Sequence, residues 1–143
     1  MRFMVFMIPG VYQPGRKVDP NFMPDAEMVK KMMAFNEDLT KAGAMIALDG
    51  LHPLSSGARV SFSGGKTVVT DGPYVEAKEV VGGYWMLQFK TKQEAIDWIR
   101  KCPAQDGDVI EIRPVFEMSD FPEDVQKAAE SSTVRAAIEP GKK

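Results

Sequence analysis

The chain predicts an α+β fold of the ferredoxin-like, split βαβ type with a β-hairpin inserted in its middle. Three observations carry this. The apolar pattern runs strand, helix, strand, hairpin, strand, helix, strand. A pair of short strands meets at Gly64-Gly65, a two-residue turn that needs positive φ. The two longest strand candidates, near residues 2–8 and 80–90, are apolar on both faces.

Residues 2–8 are β-rich and stopped by Pro9-Gly10, with Phe3, Val5 and Met7 on one side and Met4, Phe6 and Ile8 on the other. Residues 10–23 have no period and form a long loop. Pro24 suits the first position of a helix, with Asp25 and Glu27 in its first turn. Met28, Met32, Phe35, Leu39 and Ala42 then follow in one stripe, and Gly43 supplies the stop. Residues 44–49 read as a short strand and residues 50–57 as a loop of small polar residues around His52. In the hairpin, residues 59–63 alternate with Val60 and Phe62 facing inward, and residues 66–70 return. The strand at 80–90 sets Tyr84, Met86 and Gln88 against Trp85, Leu87 and Phe89. Thr91 and Glu94 form a capping box for a second helix with Ala95, Trp98, Ile99 and Cys102 inward and Pro103 at its end. Residues 107–115 close the sheet, Ile110 and Ile112 on one face and Val109, Glu111 and Arg113 on the other.

Two helices cover one face of a sheet, so the second apolar face needs another layer. The expected layer is a second copy, a homodimer with sheets packed face to face. The domain spans residues 1–115, and residues 116–143 form a tail with a helix over 122–135 opened by Ser119 or Asp120 and striped by Val125, Ala128 and Ala129.

Composition narrows the function classes. Of 143 residues, 20 are acidic and 18 basic, spread along the chain for a net charge of −2, which provides no basic stripe for direct nucleic-acid binding. A single Cys102 excludes an intrachain disulfide, and one Cys with one His falls short of a four-ligand zinc site; no metal or cofactor motif is present. The start of the chain has no signal-peptide pattern, and no apolar run approaches the ~20 residues of a membrane span. A cytoplasmic protein without a membrane anchor is expected.

The densest polar cluster is Asp71, Gly72, Pro73, Tyr74, Glu76 and Lys78, on a turn shaped by Gly and Pro. Asp71 either accepts backbone hydrogen bonds that hold the turn or serves as a general base. His52 is the sole histidine, either a surface group or a partner for Asp71. Lys78 suits an anionic ligand, Tyr74 and Trp85 would wall a pocket, and Arg113 would clamp a carboxylate or pair at an interface. Trp85 has packing as its alternative role.

The run Val69-Thr70-Asp71-Gly72-Pro73-Tyr74-Val75-Glu76-Ala77-Lys78-Glu79, followed by Gly82-Gly83-Tyr84, resembles the signature of the YCII-related proteins of the DGPF type, with Tyr74 in place of the name-giving Phe. The likeness extends to Phe35-Asn36-Glu37-Asp38-Leu39, Gly50-Leu51-His52-Pro53 and Glu111-Ile112-Arg113-Pro114. It implies a bacterial protein of the dimeric α/β-barrel superfamily, a homodimer with an unknown small-molecule ligand. It also implies a sigma factor or other transcription partner for some members. The enzyme-like branch of that family uses a His–Asp pair whose histidine lies on the first helix. This first helix has none, which leaves Asp71 and His52 as the candidates. Two readings stand: a binding or regulatory dimer, and a small acid–base enzyme of lyase or isomerase type using Asp71.

Overall fold

The computed structural model describes residues 1–13, 15, 21, 23–73 and 79–138. Four strands form one antiparallel sheet: β1 (Arg2–Ile8), β2 (Met45–Gly50), β5 (Gly83–Gln88) and β6 (Val109–Pro114), in the order β2-β5-β1-β6. Helices α1 (Ala26–Lys41) and α2 (Lys92–Ile99) complete the two split βαβ units. The hairpin β3 (Ala58–Ser63) and β4 (Lys66–Asp71) is inserted between β2 and β5 as a separate two-stranded sheet. This is the ferredoxin-like arrangement expected from the order of elements.

Both helices pack on the face of the sheet that carries Phe3, Val5, Trp85 and Leu87. Phe35 and Leu39 of α1 and Ala95 and Ile99 of α2 meet those strand residues in one buried cluster, joined by Ala44 and Phe89. Phe35 and Trp85 meet edge to face, their ring centres 6.3 Å apart. Among the described residues, one polar side chain lies within this core. Asn36 accepts a 2.8 Å hydrogen bond from the Trp85 indole N–H through its Oδ1, which gives the buried indole donor a partner.

Local chemistry sets the helix ends. Asp25 is the N-cap of α1 and accepts from Glu27 N, so Pro24 stands one position before the cap and not at the first helical residue. Gly43 follows the helix at φ +74°, with Ala44 N bonded to Leu39 O and Gly43 N to Thr40 O, the paired bonds of a Schellman stop. The apolar stripe of α1 buries Phe35 and Leu39, while its outer members Met28 and Ala42 are exposed. Thr91 caps α2 by accepting from Glu94 N, and Glu94 reaches back to Lys90 N, one residue before the cap. Cys102 packs beside Met32, and burial pushes its thiol up to about 11, which keeps it protonated and unreactive at neutral pH.

Three expectations are corrected. Val60 and Phe62 do not face inward: they are 54% and 80% exposed, because the hairpin stands off the main sheet. The long strand begins at Gly83 and not at residue 80, because the Gln13 side-chain amide takes both backbone groups of Val80, accepting from its N–H at 3.1 Å and donating to its carbonyl at 3.2 Å. The tail has two short helices in place of one, α3 (Glu123–Ala128) and α4 (Ser132–Ile138). The Ser131 hydroxyl accepts from Val134 N and starts a new helix there. Asp120, expected to open the tail helix, instead accepts from Glu117 N and closes the 3-10 turn Met118–Asp120. Glu117 also holds Arg2 through two hydrogen bonds, at 2.9 and 3.1 Å, fastening the start of the tail to β1.

Replacing Asn36 by Ala leaves the Trp85 indole N–H buried without a partner. The expected cost is about 1–3 kcal/mol, read as a lower urea midpoint at unchanged denaturant slope.

Candidate functional site

The sheet face turned away from α1 and α2 is built by register. Residues opposite one another across paired strands share a face. Tyr84 is opposite Phe6 and Asp49, and Phe6 is opposite Glu111, so one row crosses all four strands as Asp49, Tyr84, Phe6, Glu111. The next row is Ala47, Met86, Met4, Arg113. Its centre is apolar and half-buried at Met4, Phe6, Tyr84 and Met86, and its charged groups stand on the outer strands.

Tyr84 donates a 2.7 Å hydrogen bond from its hydroxyl to Asp49 Oδ2. That bond, then the charge of the carboxylate, holds the Tyr84 phenol above its ordinary range, because ionisation would cost the bond and set two anions together. The phenol oxygen and the second carboxylate oxygen remain acceptors toward this face, while Arg113 on the far strand is a donor. The face suits a molecule with an apolar body, hydrogen-bond donors near Asp49 and Tyr84, and an acidic group toward Arg113.

One end of this sheet gathers the loops. Leu51 N bonds to Gly82 O and Gly82 N to Met7 O, so the loop carrying His52 starts beside the residues that lead into Tyr84. Gly10 N bonds to Asp108 Oδ1 at 2.8 Å at the same end. The turn after the hairpin seats on the loop that follows Leu51. Gly72 donates a 2.9 Å hydrogen bond to Gly57 O, and a Cβ on Gly72 would overlap the Leu54 carbonyl oxygen, so only glycine admits this approach.

The fold thus joins the His52 loop to the Asp71–Gly72 turn through backbone contacts at Leu54 and Gly57. Asp71 and His52 are both exposed, and no hydrogen bond links their side chains among the described residues. Tyr74 and Lys78 lie outside the described residues. Trp85, expected at a ligand surface, is 5% exposed within the helix-side core, its N–H engaged by Asn36. Arg113 is exposed on the opposite, open face. The expectations omitted Asp49 and Glu111. The alternation of β5 already placed Tyr84 opposite in facing to Trp85. The pairing with Asp49 needs the irregular register between Met45 and Ala47, which a sequence pattern does not show.

A family model for the YCII-related domain matches residues 1–119. The chain belongs to the YCII-related family. An uncharacterised protein of Rhizobium meliloti (strain 1021) is 29% identical over 76 residues, which is 53% of this chain and 61% of that relative. The chain therefore spans less than two thirds of the length of the curated relative it matches. The split βαβ sheet with its inserted hairpin is compatible with the ferredoxin-like fold of this family. No helix among the described residues is long and apolar enough to cross a membrane.

Two outcomes test this geometry. Asp49→Asn removes the charge beside Tyr84, and the phenol's titration midpoint falls toward its ordinary value, seen in the component of the ultraviolet phenolate signal that Tyr84→Phe removes. Gly72→Ala forces the turn off Leu54 and destabilises the protein by about 1–3 kcal/mol, measured by chemical denaturation.

Proposed function

We propose that this member of the YCII-related family is a homodimer that binds a small molecule on the open sheet face, at the end where the Asp71–Gly72 turn and the His52 loop meet. The observation that carries the reading is the Tyr84–Asp49 hydrogen bond set into the half-buried apolar surface of Met4, Phe6 and Met86. Large apolar side chains with a few convergent polar groups are the makeup of small-molecule sites. The dimer is supported by the same surface: α1 and α2 occupy the other face, and α3 and α4 have no buried residue. A second sheet is the layer that suits it.

In this reading Asp49 and Tyr84 orient the donors of the ligand, and Arg113 receives its acidic group. Asp71 and His52 stand at the rim, with Tyr74 and Lys78 following in the chain. A regulatory use of the bound molecule, with a sigma factor or other transcription partner, rests on the family likeness. The alternative is an acid–base enzyme in which Asp71 moves a proton.

A thermal-shift screen of metabolites on the purified protein separates these. The expected result is a carboxylate-bearing compound that raises the melting temperature of the wild type, with a smaller rise in Tyr84→Phe, Arg113→Ala and Asp71→Ala. Conversion of that compound, lost in Asp71→Ala, would favour the enzyme. A panel in which no compound distinguishes the wild type from Tyr84→Phe or Arg113→Ala would defeat the open-face site.

A further inference from the structure

The hairpin is an amphipathic arm. Register pairs Ala58 with Asp71, Val60 with Val69 and Phe62 with Thr67, so Val60, Phe62 and Val69 share one face. Arg59, Ser61, Ser63, Lys66, Val68 and Thr70 make up the other. Every residue of both strands is exposed, including Phe62 at 80% and Val69 at 66%. An isolated two-stranded hairpin is marginal in water, and an exposed phenylalanine flanked by two valines on one face is a contact surface awaiting a partner.

We infer that this hairpin is a dimerisation arm, and that the face of Val60, Phe62 and Val69 docks on a second copy of the chain at the margin of its open sheet face. The inference goes beyond the proposed dimer, on which it rests, by assigning the exchanged element and its contact face. Two features favour a second copy as occupant. The same chain carries another exposed apolar surface, the two rows through Phe6 and Met86, with Val109 at 55% exposure beside them. The hairpin is inserted between β2 and β5, and Leu51 N at the end of β2 bonds to Gly82 O just before β5, so the arm leaves the chain at the end of two strands of that face.

Area argues the same way. A stable interface buries roughly 800 Å² per partner, more than three side chains on a hairpin supply. In a two-fold pair each copy gives one arm and receives one, so arm and sheet face are buried twice in a single self-complementary contact. The arm also becomes a wall of the partner's ligand site, which is then complete only in the dimer.

The test compares three full-length variants by sedimentation across a concentration series, with circular dichroism to confirm folding. Phe62→Ser and Val69→Ser alter side chains that are exposed in the single chain, so the monomer stays folded, and each is expected to raise the dimer dissociation constant by about tenfold or more. Val68→Ser, on the opposite face and 58% exposed, is expected to leave it within about twofold of wild type, as a surface change should. A photo-crosslinking residue at position 62 is expected to yield a covalent dimer. A wild-type dimer unaffected by Phe62→Ser, or weakened equally by Val68→Ser, would overturn the arm while leaving the open-face site standing. A dimer that persists in Tyr84→Phe while ligand binding disappears identifies the sheet face as the site independently of the arm, and a monomeric wild type overturns the arm and the dimer together.

Discussion

The two central strands of the sheet bear large apolar side chains on both faces, and α1 and α2 cover one of them. Everything else in the molecule answers to this constraint. On the helix side Phe3, Val5, Trp85 and Leu87 are sealed beneath α1 and α2. Burial there is strict enough that the Trp85 indole N–H is matched by Asn36, the one buried polar side chain among the described residues. On the opposite side Met4, Phe6, Tyr84 and Met86 are half-buried. Their further removal from water is a driving force the single chain leaves unspent.

That second face combines apolar area with directed polar chemistry. Tyr84 cannot be a simple packing residue in the way Trp85 is, because its hydroxyl ends at a carboxylate on the edge strand. The hydrogen bond fixes the ring orientation and leaves acceptors pointing outward, while Arg113 adds a donor two strands away from Tyr84. Asp71 and His52 are joined to one another by a different route. Their loops are pinned by backbone contacts between Gly72 and the Leu54–Gly57 segment, so the position of the turn is set by main-chain packing and not by its charged side chains.

The hairpin extends the same argument to assembly. Its strands alternate as a half-buried sheet should, yet every residue of both is exposed. A pattern of this kind records burial in some environment, and a second copy is the environment we have inferred. A ligand site and an interface that share one sheet face would be coupled: a bound molecule would favour the dimer by as much as the dimer favours the molecule.

The split βαβ order, both helices, the Gly64-Gly65 turn, the Gly43 stop and the Thr91 cap were legible in the sequence because each rests on contacts within a few residues: period, capping oxygen or positive φ. So was membership of the family, carried by a contiguous run around Asp71. The inward facing expected of Val60 and Phe62 does not occur, since alternation reports that a strand has an apolar face and says nothing of which body covers it. The tail was misread for a local reason, the competition of the Ser131 hydroxyl for the helix backbone. Sequence by itself determined the elements, their order and the two-faced character of the central strands. Tertiary structure alone decided that Trp85 belongs to Asn36 and Tyr84 to Asp49, that Gly72 seats on Leu54, and that the hairpin forms a sheet of its own. Each joins residues brought together by strand register or loop packing, and those distances in space are not encoded in spacing along the chain.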